Sequence, residues 1–404
     1  MSAATSAIRP LSAGLAGPAR AGLRSLAAIQ ALLLAIAIAG THGWIVPLHA
    51  ATTTDFVSFY AAGALADAGT APLAYDFAAH AIAEQQAAGA GVPYEFFFYP
   101  PTFLLLCAAL AKLPYLAAFT AFDAAGLALF LVALRRVSGA GLGTIAVLAC
   151  AFPLTVWVLG LGQNSLFIAA ALAFGAALVD RRPVLAGLCF AALAVKPHFG
   201  LLVPVALLAG GHWRAAAAAG CGVAGLVALS VATFGIATWA AFLPVAGWAP
   251  SAFAAEIPCR FGALVSVLGA ARVLGAGAAA ASIAQTASAL AASVMVGLVW
   301  RSGRDPATRA AALAAGTLLS VPVALFYDAM PLLIAIAALW PGATAPHRRA
   351  LAATFLLAGL LPFLGRGLGL PLGPVLAAGL LTLALLRSCR PAGSARQDLP
   401  AAAA

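Results

Sequence analysis

The chain has 404 residues, 64% of them hydrophobic and only 8% charged, with a mean hydropathy of +1.06. A soluble domain carries about 25% charged residues, so charge this sparse cannot coat a water-facing surface. The excess of 21 Lys and Arg over 11 Asp and Glu lies in short clusters between apolar runs, the pattern of membrane loops and not of a nucleic-acid-binding face.

Apolar runs recur from Leu26 to Leu386, which excludes a soluble body on one anchor and leaves an all-α polytopic membrane protein. Arg9, Arg20 and Arg24 occupy a tail over 1–24, ahead of an apolar run near 26–46. That run reads as a retained first helix and not as a cleaved signal peptide. Residues 47–96 contain no Lys or Arg but hold Asp55, Asp67, Asp76, Glu84 and Glu95. A loop lacking positive charge beside an Arg-bearing terminus belongs on the outer side. A short helix over 77–88 suggests that interfacial helices structure this loop. Residues 97–112 read as re-entrant or spanning.

Beyond them, Arg135/Arg136, Arg181/Arg182, Arg214, Arg301/Arg304/Arg309, Arg348/Arg349 and Arg387/Arg390/Arg396 separate the apolar stretches. Placing these clusters inside predicts about 12 membrane helices with both termini cytoplasmic. They fall near 26–46, 113–134, 142–160, 164–179, 184–196, 198–211, 215–236, 276–300, 308–327, 329–340, 350–363 and 370–387. The unit over 25–387 is a single membrane domain, and 388–404 reads as a disordered cytoplasmic tail. Several of these segments fall well short of the roughly 20 residues a crossing requires. Broken helices at Lys196-Pro197-His198 and Tyr327-Asp328 would therefore line a cavity, since irregular backbone survives at membrane depth only against protein or water.

Ionisable side chains in so apolar a chain are functional candidates by default. Asp55, in Thr54-Asp55-Phe56-Val57-Ser58-Phe59-Tyr60, suits a general base taking a proton from a hydroxyl; the competing reading is an N-cap. Lys196 offers a point charge to a phosphate and His198 a second donor. Snorkelling would explain the lysine but not the proline break. Tyr60, Tyr99, Gln163, Asn164, Tyr327 and Asp328 supply aromatic faces, amides and a carboxylate suited to a sugar or its acceptor. The six cysteines show no CxxC or Cys/His spacing, so neither a metal site nor a disulfide framework is indicated.

The order of motifs resembles glycosyltransferase family 87. The resemblance rests on Asp55-Phe56, Phe59-Tyr60, Ala62-Gly63, Leu73-Ala74-Tyr75-Asp76, Tyr99-Pro100-Pro101, Leu113-Pro114-Tyr115, Gly162-Gln163-Asn164-Ser165, Ala186-Gly187-Leu188, Lys196-Pro197 and Tyr327-Asp328. It implies a GT-C type fold in the bacterial cytoplasmic membrane, with the active site facing outward. It further implies a polyprenyl-phosphate sugar donor, a glycolipid or glycan acceptor, and hexosyl transfer, mannosyl by preference. Asp55 occupies the position of the family's base, Lys196 with His198 that of the donor phosphate partner, and no cofactor is implied. The sequence departs from the family at His198, where relatives often carry glutamine. A transporter or flippase for a lipid-linked or small anionic substrate is the alternative, because broken helices and midplane polar groups serve transport too.

Overall fold

A computed structural model describes residues 17–40, 54–255, 263–303 and 305–389, which are helical with no named strand among them. Helix α1 (Gly17–Gly40) is followed by α2 (Phe56–Asp67) and α3 (Phe77–Ala88) of the acidic segment, then α4 (Pro101–Ala111) and the long α5 (Tyr115–Ser138). Next come α6 (Leu142–Ala151), α7 (Pro153–Leu161), α8 (Ser165–Leu178), α9 (Pro183–Ala191), α10 (Val203–Ala209), α11 (Trp213–Phe234) and α12 (Ile236–Ala255). The remainder is α13 (Val267–Val273), α14 (Ala278–Arg301), α15 (Pro306–Ser320), α16 (Pro331–Leu339), α17 (Ala345–Ala358), α18 (Leu361–Leu368) and α19 (Gly373–Cys389).

The first helix starts at Gly17, so Arg20 and Arg24 lie on its opening turns and not in a tail. Arg9 and the rest of the tail to residue 16, the stretch 41–53, Glu256, Arg260, Arg304 and everything from 390 lie outside the described residues. Four helices are single apolar cylinders long enough to cross a bilayer: α1, α5, α11 and α14. The expected 142–160 helix is instead two helices, α6 and α7, bent by 78°. Pro153 opens the second of them; a proline has no N–H for the i−4 carbonyl, and its ring clashes with that carbonyl. The other expected segments are helical but short, so among the described residues four helices, or five if the bent pair is one span, are long and apolar enough to cross, against the 12 expected.

Residues 97–112, expected as re-entrant or spanning, form an extended run to Pro100 and then the 11-residue α4, which packs on α2. Gly63 makes that packing possible, because a Cβ there would lie 2.1 Å from the Cys107 carbonyl oxygen. The burial pattern sorts the helices. Every residue of α16, and every residue of α15 from Ala307 on, is buried, while α1 and α11 expose most of their apolar side chains. A helix apolar on all sides and buried is the centre of a bundle; one that exposes Leu and Val is covered by lipid.

The buried side chains form two apolar clusters. The larger joins the C-terminal part of α5 and helices α6 to α10 with α14 to α17 and α19. The smaller gathers Phe56, Phe59, Tyr75, Phe97, Phe103, Phe119 and Phe122 with Phe242 of α12, and its aromatic rings meet largely edge to face. Val195 packs against both clusters.

Candidate functional site

Four local breaks in the backbone bring the polar residues to the seam between the two clusters. After α7, Gly162 takes a left-handed φ of +65°, and a Cβ there would meet the Phe56 Cβ at 2.6 Å. Only glycine lets this turn close against the start of α2, and that contact sets Gln163 beside Asp55. After α9 the chain tightens into a 3₁₀ turn at Ala192–Val195 and breaks at Lys196, with φ −144° and ψ 69°. The following Pro197 bars the helical region to the residue before it. An extended stretch follows α15, where the Val265 N–H donates to the Ala324 carbonyl at 2.8 Å, and it delivers the 3₁₀ turn Phe326–Ala329 carrying Tyr327 and Asp328. Tyr99 ends the extended run before Pro100 and Pro101 start α4.

The result is one polar network. Gln163 donates its amide Nε2 to Asp55 Oδ2, while the Tyr99 hydroxyl donates to Gln163 Oε1 at 3.4 Å. The Tyr327 hydroxyl faces the same Asp55 carboxylate. Lys196 Nζ donates to Asp328 Oδ1 at 2.5 Å, Ser165 Oγ donates to the same oxygen at 2.9 Å, and the Leu325 N–H donates to Oδ2 at 3.2 Å. The ammonium sits among three rings, 5.1 Å from the centroid of Phe199, 5.8 Å from Tyr327 and 5.9 Å from Tyr99. Such faces attract a cation within about 6 Å. Lys196 and Asp328 are both buried, and a pair so placed is held by its further hydrogen bonds as much as by its charges.

Asp55 does stand at the N-cap of α2, but its side chain makes no capping bond; it turns to Gln163 instead. Removal from water pushes its pKa above the usual carboxylate value, against the opposing pull of Gln163, Tyr327 and the Lys196 charge. Asn164 is buried beside the Tyr99 hydroxyl, with neither amide atom in a well-formed hydrogen bond. His198 has an exposed side, its ring lies against Phe199, and no hydrogen bond joins it to Lys196, but it is within reach of the charges on Lys196 and Asp328. Tyr60 also lies elsewhere. Its hydroxyl donates to the Leu113 carbonyl at 2.9 Å, and its ring lines a separate cavity of about 460 Å³ with Tyr115, Gln86 and Leu65. Ser165 was missed as a site residue; the amide-rich turn just before it is the sequence signal that points to it.

Among the described residues no three His, Cys, Asp or Glu side chains gather as a metal site. Asp123, buried on α5, has neither carboxylate oxygen hydrogen-bonded, and Lys112 pairs with Asp67 at 3.5 Å on the exposed surface.

Apolar helices around a carboxylate, a caged lysine and a set of amides define a membrane protein with a buried polar site between helices. Residues 97–326 match the model of glycosyltransferase family 87, and the chain belongs to that family. It is therefore a glycosyltransferase, a membrane protein that handles a sugar donor and an acceptor. The matched stretch contains Tyr99, Gln163, Asn164, Lys196 and His198; Asp55 and Asp328 lie outside it and are tied to it by the contacts above. Neither a curated protein nor a solved structure matches the chain significantly.

Proposed function

We propose that this glycosyltransferase moves a hexosyl group, mannosyl by preference, from a polyprenyl-phosphate donor to a hydroxyl of a glycolipid or glycan on the outer face of the bacterial cytoplasmic membrane. The observation that carries the proposal is the joining of a half-buried carboxylate and a buried ammonium in one site, through Asp55, Gln163, Tyr99 and Tyr327 on one side and Lys196, Asp328 and Ser165 on the other. Asp55 takes the proton of the acceptor hydroxyl as that oxygen bonds to the anomeric carbon. The bond from that carbon to the phosphate oxygen breaks with its electron pair, and polyprenyl phosphate leaves. Lys196 stabilises the charge that grows on the departing phosphate. A β-linked donor displaced in this way gives an α-linked product. Asn164, with its unused amide, and the Tyr99 and Tyr327 rings suit the sugar; exposed His198 suits the outlying part of the donor head.

Membership in a glycosyltransferase family favours this reading over a transporter, which needs no general base. The test is transfer by purified protein in lipid from radiolabelled polyprenyl-phosphate mannose to an acceptor extract. Asp55→Asn should slow transfer by about 10²–10⁴-fold, the range of positioned acid–base catalysis. Near-normal turnover in that variant would remove Asp55 as the base, and movement of lipid without bond cleavage would favour transport.

A further inference from the structure

Gln163 is engaged at both ends of its amide. The Tyr99 hydroxyl donates to Oε1 and the Nε2 donates to Asp55 Oδ2. The reverse orientation would set an amide oxygen against a carboxylate, two acceptors face to face, so the amide has one stable setting. The turn that carries it is fixed as well, because Gly162 lies against Phe56, the residue after Asp55. A residue committed in this way has little freedom to follow a substrate hydroxyl.

We propose that Gln163 is a positioning residue for the base, with Tyr99 as its anchor: it holds Asp55 Oδ2 and so sets the orientation of the carboxylate that receives the acceptor's proton. The proposal rests on the reading of Asp55 as the base. Lys196, Asp328, Tyr99, Tyr327 and Glu84 are the other ionisable groups that act on Asp55. The charge on Lys196 is already shared with Asp328, so the direct donors that oppose the effect of burial on Asp55 are the Gln163 amide first and the Tyr327 hydroxyl second. Loss of the Gln163 donor carries a hydrogen bond to a charged group with it, which corresponds to a shift of about one pH unit.

The experiment is a kcat/KM profile against pH in lipid, with polyprenyl-phosphate mannose as the probe, for wild type, Gln163→Leu, Gln163→Glu, Tyr99→Phe and Asp55→Asn. Gln163→Leu should move the acid limb up by about one pH unit and lower kcat, with donor KM little changed. Gln163→Glu, of equal size, should move the limb further up, because two adjacent carboxyls share one proton. Tyr99→Phe should move it in the same direction by less, and it serves if the leucine variant does not fold. A rise in donor or acceptor KM, or a loss of rate equal at every pH, would overturn the proposal and make Gln163 a substrate ligand or a packing residue. Asp55→Asn separates the two failures. An inactive Asp55→Asn beside unmoved acid limbs removes the role of Gln163 alone, whereas an active Asp55→Asn removes the base itself.

Discussion

A carboxylate at the start of a helix ordinarily accepts from the amides of the first turn; Asp55 forgoes those bonds and points to the Gln163 amide instead. That choice separates a capping aspartate from a candidate base, and the two are identical in sequence. Lys196 is similar: snorkelling accounts for a lysine near a membrane surface, but not for a buried ammonium ringed by Tyr99, Phe199 and Tyr327. Replacing it by glutamine keeps a donor for Asp328 and removes only the charge. Lys196→Gln should lower kcat by about 10²–10³-fold, the range for loss of one preorganised donor to a developing anion, with the thermal midpoint little changed. A drop in stability with unaltered kcat would make the lysine structural.

At the scale of the element, the acidic segment is built on close approaches and on groups kept neutral. In Gly63→Ala the new methyl would collide with the backbone of α4 at Cys107, and overpacking of this kind costs about 1–3 kcal/mol. A fall in the thermal midpoint, with exchange of α2 and α4 amides accelerated, is the expected reading; an unchanged midpoint would contradict the packing. Between α2 and α3, His80 Nε2–H donates to the Ser58 carbonyl, and Glu84 accepts from the Glu95 N–H at 3.1 Å. Burial lowers His80 to about 4 and raises Glu84 to about 8. From pH 8 down to about 6.5, folded Glu84 binds a proton that the unfolded chain, titrating near 4.5, does not, so stability rises as pH falls. Below about 6.5 the unfolded His80 takes up a proton that the folded one refuses, and the two effects oppose each other. The protection factors of the α2 and α3 amides, corrected for base-catalysed intrinsic exchange, should therefore be higher at pH 6.5 than at pH 8.5, and Glu84→Gln should abolish the difference.

Across the whole molecule, the basic clusters and the site occupy opposite ends of the same helices. Arg309, at the start of α15, forks onto Asp180 just past α8, meets His212 Nε2 at 2.9 Å and lies 5.5 Å from the Trp300 ring. Ser165, which serves Asp328, opens α8 at the other end, so the two polar centres are about 20 Å apart along the helix. Arg309→Met should destabilise the protein by only about 1 kcal/mol, because the Asp180 it leaves is exposed to solvent, while donor KM stays at the wild-type value. A change in KM without loss of stability would tie that end to the substrate.

The amino-acid sequence alone determined the class of protein, the helical positions and the polar candidates, because apolar runs, charge clusters and Pro and Gly punctuation act locally along the chain. Asp55, Tyr99, Gln163, Lys196 and Asp328 were legible as residues out of place in an apolar chain. Their grouping was not, since Asp55 and Gln163 lie 108 positions apart and Lys196 and Asp328 lie 132 apart. The separation of Tyr60 from that group was equally hidden, because a side chain's direction depends on which helices pack around it. The bend at Pro153 and the burial of α15 and α16 at the centre of the bundle belong to the same class of fact. Hydrophobicity counts apolar residues identically whether they meet lipid or other helices, and only the tertiary packing decides between the two.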